Sequence, residues 1–468
     1  NSLIGTLEEI NLSYDFSILK GDEIQSALYL RSAGLGLLGN IVGDKKAVAC
    51  IEDTAVPVEQ LADYIEEFTS LMKQYDQNPV YYAHAGAGEL HLRPLLNLKK
   101  QNGVDQFKAI TTAVAHLVKK FKGSMSGEHG DGIVRSEFIS FMLGNSNYEL
   151  IKEVKQIFDP FSIFNPGKIV DSLPMDQNLR YQPERKEPDI DTFMDFNADQ
   201  GILRAVEKCN GSGDCRKTTT DATICPSYRA TKDEKDSTRG RANVLREALT
   251  NSNSKNPFDN PQIKEVMDLC ISCKACASEC PSNVDIASYK AEFLYQYQKK
   301  YRPRLRDSVF AFNGKLSKML NPIRGLQNIA FQTPFFGYLI KKSLGIASSR
   351  SVPKLHAPLD QQLINKKQQK SNHKVFLYLD EFTNYLDVRT GRDSYDILTR
   401  LGYQVQVLPS TESGRTYISK GFLEQAKACA DQNVELYKDH ISAETPLLGI
   451  EPSALYTFKH EYLKLAKG

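Results

Sequence analysis

The sequence predicts a multidomain chain with an α+β first part, an α-helical ferredoxin-type iron–sulfur part and an α/β C-terminal part. Three observations predict it. Residues 270–281 read Cys-Ile-Ser-Cys-Lys-Ala-Cys-Ala-Ser-Glu-Cys-Pro, the C-x2-C-x2-C-x3-C-P ligand spacing of bacterial-type iron–sulfur sites. The residues up to about 172 mix short β-rich runs with helical apolar spacing. From residue 374 onward strand and helix signals alternate, which is the pattern of a parallel α/β sheet.

Composition narrows the class. A chain of 468 residues predicts two to four domains. Its hydrophobic content of 41% and charged content of 25% are those of an ordinary globular protein. A net charge of +2 gives no argument for nucleic acid as a partner. Seven of the nine cysteines fall within 209–280. That clustering points to a metal centre in a reducing, cytoplasmic compartment rather than a disulfide framework. No apolar run reaches the roughly 18 residues of a spanning helix, and no signal peptide is evident. The chain starts Asn-Ser-Leu without Met, so it is expected to be a fragment or a processed product.

Taken in order, residues 1–172 form the α+β part. Val48–Ile51 and Val80–Tyr82 read as short strands. Segments 59–74 and 105–121 read as helices, the second through Phe107, Ile110, Val114, Leu117, Val118 and Phe121. Residues 173–200 hold Pro174, Pro183 and Pro188 among many charges and read as a linker. Residues 201–300 hold the clustered cysteines and a helix opening near Thr238 behind a polar cap. Residues 301–373 form a basic linker segment. Its stretch 301–354 has ten Lys or Arg and one acid, Asp307. Apolar residues such as Phe331, Phe335, Phe336, Tyr338, Leu339 and Ile340 interrupt the charges. This suits either a packed linker with a solvated basic face or a peripheral contact with a membrane or partner. Residues 374–468 are the α/β part, with strands at Val375–Leu379, Val405–Pro409 and Leu447–Ile450 and helices between them.

Two stretches in the first part carry chemistry. Residues 84–93 read His-Ala-Gly-Ala-Gly-Glu-Leu-His-Leu-Arg, and residues 124–132 read Ser-Met-Ser-Gly-Glu-His-Gly-Asp-Gly. Two imidazoles and a carboxylate with open positions make a catalytic divalent-metal site. The alternative is a histidine in a turn and an exposed Glu-His pair.

These motifs carry a resemblance. His84-x6-His91, Gly127-Glu128-His129-Gly130 and Phe164-Asn165-Pro166-Gly167-Lys168 resemble the C-terminal substrate domain of FAD-linked 2-hydroxyacid dehydrogenases. Leu30-Arg31 and Ile51-Glu52-Asp53 with Val56-Pro57 resemble its early segment. The whole chain resembles the C-terminal half of bacterial FAD/iron–sulfur fusion dehydrogenases, including D-lactate and D-2-hydroxyglutarate dehydrogenases. The resemblance implies a ferredoxin-like substrate, or cap, domain. It implies His84, His91 and Glu128 as ligands of a divalent metal, zinc or manganese, and His129 as general base. It implies Arg31 and Arg93 as substrate contacts, and Asn165, Gly167 and Lys168 beside the flavin. The family's FAD-binding domain is not found in these residues, so FAD is expected to be bound mainly by a missing domain or a separate subunit. The isolated chain is then expected to be incomplete as an enzyme. The expected activity is oxidation of a D-2-hydroxy acid, with electrons relayed through iron–sulfur clusters to a quinone or flavoprotein acceptor, in the cytoplasm or peripheral to the inner membrane. The competing expectation is an electron-transfer subunit that docks on a separate flavoprotein.

The cysteines leave the cluster count open. Cys209-x2-Ser212-x2-Cys215 and Cys225-Pro226 precede the main run. By the exchange of the fourth cysteine between clusters, Cys270, Cys273 and Cys276 share one [4Fe-4S] cluster with Cys225. Cys209, Cys215 and Cys280 remain for a second site, of three thiolates. Alternatively, Cys270, Cys273, Cys276 and Cys280 hold a single cluster. Finally, Glu412-Ser413-Gly414 and Gly449–Ala454 resemble the two motifs of a cysteine-rich CCG domain whose thiols have been lost. The resemblance implies a scaffold there without a metal.

Overall fold

A computed structural model describes residues 2–10, 17–78, 81–219, 222–366, 371 and 373–466. It divides into two compact units, Asn1–Lys186 and Glu187–Gly468.

In the first unit two amphipathic helices lie beside small antiparallel sheets. Helix Leu61–Gln74 buries Tyr64, Phe68 and Met72 at i, i+4 and i+8. Helix Gln101–Lys120 buries Val104, Phe107, Ile110, Thr111, Val114, Ala115 and Val118 along one stripe. Both close on Leu90, Leu92 and Leu96. The main sheet runs Thr54–Ala55, Glu89–His91, Tyr82–His84, antiparallel throughout. A second pair joins Lys46–Ala47 to Leu95–Leu96. The strand expected at Val48–Ile51 is a turn between short strands. Its apolar residues have another cause: Cys50 and Ile51 are fully buried plugs of the core. The strand expected at Val80–Tyr82 begins instead at Tyr82 and runs to His84, while Val80 lies outside the described residues.

Helix Asn145–Phe158 buries none of its side chains. Leu150, Val154, Ile157 and Phe158 nevertheless recur at helical spacing. Phe158 is 81% exposed and Phe161, just beyond, 82%.

In the second unit the cysteine region and the C-terminal helices share one core. Ile202, Val206, Leu245, Leu249, Ile263 and Phe293 pack in the same cluster as Tyr417, Ile418, Leu423, Ala426 and Tyr462. Helix Thr238–Asn251 starts where Ser237 accepts the amide of Gly240. Helix Ile286–Gln298 starts at Asp285, which caps Ser288 in the same way. The basic segment folds into helices Leu305–Ala311, Asn313–Leu320, Arg324–Gln332 and Pro334–Ser343. The C-terminal sheet is parallel, in the order Gln404–Gln406, Lys374–Tyr378, Leu447–Gly449. Helix Val388–Arg400 makes the crossover between the first two strands in sequence. Among the described residues, no helix is long and apolar enough to cross a membrane.

Candidate functional site

The hairpin 82–91 sets the histidines side by side. Gly88 turns it with φ 71°, and a Cβ there would meet the Val56 carbonyl oxygen at 2.0 Å, so only glycine fits. The register then puts His84 opposite Glu89, and Tyr82 opposite His91. Side chains alternate along a strand, so Glu89 and His91 share one face while Leu90 enters the core.

The loop 124–130 brings the rest. Asp53 is fully buried and holds this loop through its carboxylate. Its Oδ1 accepts the Glu128 amide at 2.9 Å. Its Oδ2 accepts the His129 amide at 2.9 Å and the Ser126 hydroxyl at 2.5 Å. Gly127 between them sits tightly: a Cβ would crowd the Glu89 carboxyl at 3.1 Å and the Ala55 methyl at 3.3 Å. Arg135 braces the same loop from below, donating to the carbonyls of Glu52 and Gly130.

The donor atoms of His84, Glu89, His91 and Glu128 all lie within 4.8 Å of one another, as do those of Asp53, His91, Glu128 and His129. Glu128 Oε1 stands 3.7 Å from Nε2 of both His84 and His91, and 3.1 Å from Nε2 of His129. Glu89 Oε1 stands 4.0 Å from His91 Nε2. Two buried atoms here, Glu89 Oε1 and His91 Nδ1, have no hydrogen-bond partner among the described residues. Buried polar atoms without partners are costly, and a divalent cation at the centre would give Glu89 one. The residues therefore fit the metal implied by the resemblance, with Glu89 as an added oxygen donor.

Charge states agree with that role. Burial pushes the His91 imidazole down, against the pull of Glu52, so it stays neutral as a ligand must. Burial pushes Asp53 up, but hydrogen bonds from Glu89, Ser126 and the two loop amides outweigh it and hold Asp53 well below the usual carboxylate range. Glu89 is the carboxyl pushed toward its neutral form, whose proton a bound cation would displace. Its hydrogen bond to Asp53, then burial and the nearby Glu128 charge, push it up to about 7.

The other expected site residues are spread around this cluster. His129 stands half-exposed over it, with Nδ1 3.5 Å from Glu52 Oε1. Arg31 lies 4.2 Å over the Tyr82 ring and 3.4 Å from the His84 ring nitrogens. Arg93 is committed to Glu52, through Nη2 at 2.6 Å and Nε at 2.7 Å. Asn165, Gly167 and Lys168 sit on the loop after helix Asn145–Phe158, which Asp159 fixes by accepting the amides of Ile163 and Phe164. They share no hydrogen bond or ion pair with the histidine cluster among the described residues.

In the second unit, Cys225, Cys270, Cys273 and Cys276 line one cavity together with Ile224, Arg241 and Ile286. This is the grouping that the exchange of the fourth cysteine gives. Cys215 accepts the Arg239 amide at its Sγ, 3.3 Å away. Burial pushes its thiol up, with Cys209 and Cys225 adding to the effect. Cys280 is half-buried at the end of helix Ala275–Glu279. The Ser212 hydroxyl, at the sequence position where a full ferredoxin run has cysteine, donates to Asp214 at 2.9 Å. In the thiol-free motif, Ser413 donates its amide and hydroxyl to the buried Glu381 at 2.8 and 2.9 Å. Ala454 is fully buried. Arg415, next to this motif, donates to the Ser272 carbonyl inside the cysteine run at 2.8 Å.

Comparison with known proteins finds a family match over each of the two regions. The family described as FAD linked oxidases, C-terminal domain, matches residues 14–169, and the 4Fe-4S dicluster domain matches residues 208–285. Residues 14–169 thus match the C-terminal domain of FAD-linked oxidases, and on the same polypeptide residues 208–285 match an iron–sulfur domain. It is 30% identical to the D-2-hydroxyglutarate dehydrogenase of Haemophilus influenzae over 94% of this chain and 47% of that protein. It is 27% identical to the D-2-hydroxyglutarate dehydrogenase of Escherichia coli over 100% of this chain and 51% of that one. The D-lactate dehydrogenase of Archaeoglobus fulgidus is 31% identical over 28% of this chain and 29% of its own length. The chain thus spans about half the length of the long relatives it matches.

Proposed function

We propose that this chain is the substrate-binding and electron-relaying half of an FAD-dependent dehydrogenase that oxidises a D-2-hydroxy acid, D-lactate or D-2-hydroxyglutarate, to the 2-oxo acid. The observation that carries this reading is the convergence of His84, Glu89, His91 and Glu128 on one point, with buried Glu89 Oε1 unpartnered. When bound, zinc or manganese would supply polarisation of the substrate hydroxyl, FAD would supply a hydride acceptor and the clusters would supply one-electron transfer.

The chain's own residues do the rest. His84, His91, Glu89 and Glu128 hold the ion, and the exposed side of His84 and Glu128 leaves room for a small ligand. His129 takes the hydroxyl proton at an imidazole nitrogen, histidine being the commonest side chain for general-base work. Arg31 pairs with the substrate carboxylate through its fork. Arg93, paired with Glu52, offers the substrate only the uncommitted edge of its guanidinium and otherwise anchors Glu52 under His129. Asn165, Gly167 and Lys168 close on the flavin from their exposed loop. Cys225, Cys270, Cys273 and Cys276 hold one cluster, and Cys209, Cys215 and Cys280 supply thiolates for a second.

The apolar stripe of helix Asn145–Phe158 supports a docked FAD-binding domain or subunit. It equally favours the second reading, an electron-transfer subunit seated on a separate flavoprotein. The electron acceptor is a quinone or a flavoprotein. Exposed Phe335, Phe336, Tyr338 and Leu339, set among Arg324, Lys341 and Lys342, support a peripheral contact with an anionic membrane surface.

Metal analysis tests the first reading directly. The intact chain should carry one zinc or manganese, lost in His84→Ala and weakened in Glu89→Gln, with iron retained in both. When joined to an FAD-binding partner, His129→Ala should slow flavin reduction by D-2-hydroxy acids by about 10²–10⁴-fold. Equal reduction rates with D and L substrates, or a full-speed His129→Ala enzyme, would overturn the mechanism.

A further inference from the structure

Arg241 is 1% exposed and is the largest fully buried side chain among the described residues. It sits in the first turn of helix Thr238–Asn251 and lines the cavity of Cys225, Cys270, Cys273 and Cys276. Its Nε donates to the Val266 carbonyl at 2.7 Å, and Nη1 to the Asp236 carbonyl at 2.5 Å. Nη1 also reaches Cys225 Sγ at 3.5 Å. Nη2 has no hydrogen-bond acceptor among the described residues. Only Asp236 Oδ1 stands nearby, at 3.6 Å.

A guanidinium this deep carries a large desolvation penalty unless negative charge surrounds it. Two carbonyls and one imperfectly placed carboxylate are a thin answer. Four neutral thiols would add little. Four thiolates around a [4Fe-4S] core carry a net charge of −2 when oxidised and −3 when reduced, and they border the same cavity. A second cation points the same way: half-buried Lys290 donates to the Cys270 carbonyl at 2.6 Å. The cation at the other cysteine group is already matched: Cys215 accepts the Arg239 amide at 3.3 Å, and the Arg239 guanidinium, which also feels Cys209 and Cys215, is held by Glu234 through two bonds of 2.8 and 3.0 Å.

We propose that Arg241 is the counter-charge of the cluster held by Cys225, Cys270, Cys273 and Cys276, donating to Cys225 Sγ, and that it raises this cluster's reduction potential above that of the Cys209, Cys215 and Cys280 site. A fixed cation favours the more negative reduced state, and hydrogen bonds to the sulfurs act in the same direction. Electrons that enter the pair then settle on the Arg241 cluster. The inference rests on the reading that these four thiolates hold one cluster.

Potentiometric EPR titration of the full chain, reconstituted anaerobically, tests it. In Arg241→Gln the midpoint of this cluster should fall. At the wild-type midpoint the ratio of reduced to oxidised cluster should drop about tenfold, which is about 59 mV for one electron. Arg241→Lys keeps the charge without the fork and should fall less. Asp236→Asn removes the competing negative charge and should move the midpoint upward. Any signal from the second site should not move. If Arg241→Gln fails to assemble, the Lys and Asp236→Asn variants still decide, because a merely structural arginine gives no opposed pair of shifts. Iron-replete variants with unchanged midpoints, or with both sites shifted alike, would overturn the inference alone. A wild-type chain without iron and acid-labile sulfide would overturn the cluster reading and the inference with it.

Discussion

Asp53 is the residue on which the candidate metal site turns, although it needs no contact with an ion to matter. Its two oxygens fix Ser126, Glu128 and His129 at once, and it faces the Glu89 carboxyl that shares its proton. Asn in its place offers one acceptor and a donor, so one buried loop amide would meet an N–H group. A buried donor left unpaired costs about 1–3 kcal/mol. Loss of a residue that orients metal ligands typically costs 10–100-fold in metal affinity. Asp53→Asn should therefore weaken zinc or manganese binding by that range in a chelator competition, with its far-UV circular dichroism kept. Unchanged affinity would count against the site. The same neighbourhood shows what the sequence could and could not tell. His84, His91, Glu128 and His129 stood out because their types and motif spacing carry chemistry. Glu89 was readable from its alternation with Leu90 and His91, since it had to share the face of His91, but only once that strand was known. The double grip of Asp53 on a loop more than seventy residues away left no local signal.

At the scale of elements, periodicity marked the helices Leu61–Gln74 and Gln101–Lys120 because their buried stripes recur every three or four residues. It misled at Val48–Ile51, where apolar residues fill the core from a turn and make no ladder. Helix Asn145–Phe158 is the opposite case: its stripe is regular, and within this chain it buries nothing. Leu150, Val154, Ile157, Phe158 and Phe161 stay in water, a contiguous apolar face beside the loop that carries Asn165, Gly167 and Lys168. Fully burying one such side chain contributes about 1.5–3 kcal/mol. Under the proposed function this face receives the FAD-binding domain or subunit. The double variant Phe158→Ser, Phe161→Ser should then weaken association with that partner by at least about a hundredfold, equivalent to about 2.8 kcal/mol. It should leave the thermal midpoint of the chain alone, because these rings touch solvent rather than the core. Surface plasmon resonance against the isolated partner reads the first effect and calorimetry the second. Undiminished binding would move the partner elsewhere.

For the whole molecule, the chain's cores say where it can be divided. The hydrophobic cluster of the first unit runs from Cys50 to Met175, with Leu179 packed against it. Among the described residues, none of that cluster comes from beyond 186. The large cluster of the second unit begins near Met194 and includes Tyr417, Ile418, Leu423, Ala426, Ala430, Tyr462 and Leu465. The helices of the C-terminal part thus complete the hydrophobic core of the cysteine region. Strand–helix alternation in 374–468 gave no sign of this, since contacts across more than a hundred residues have no local pattern. Arg415 adds a polar tie, donating to the Ser272 carbonyl and pairing with Glu461 at 2.9 Å. Two cuts should behave differently. Separation between Lys186 and Glu187 parts no hydrophobic cluster, so a piece 187–468 should fold, turn brown on reconstitution and carry all of the iron, while 1–186 keeps the divalent metal. Separation at 373 exposes Tyr417, Leu423, Ala426 and Tyr462 on one side and their partners on the other. Burying each large side chain contributes about 1.5–3 kcal/mol, and a whole domain is stable by only about 5–15 kcal/mol. The piece 187–373 should therefore lose cooperative unfolding and bind iron poorly. It should recover both when 374–468 is added back, because the missing contacts are non-covalent. A piece 187–373 that unfolds cooperatively and holds its clusters alone would show that the cysteine region needs no C-terminal partner.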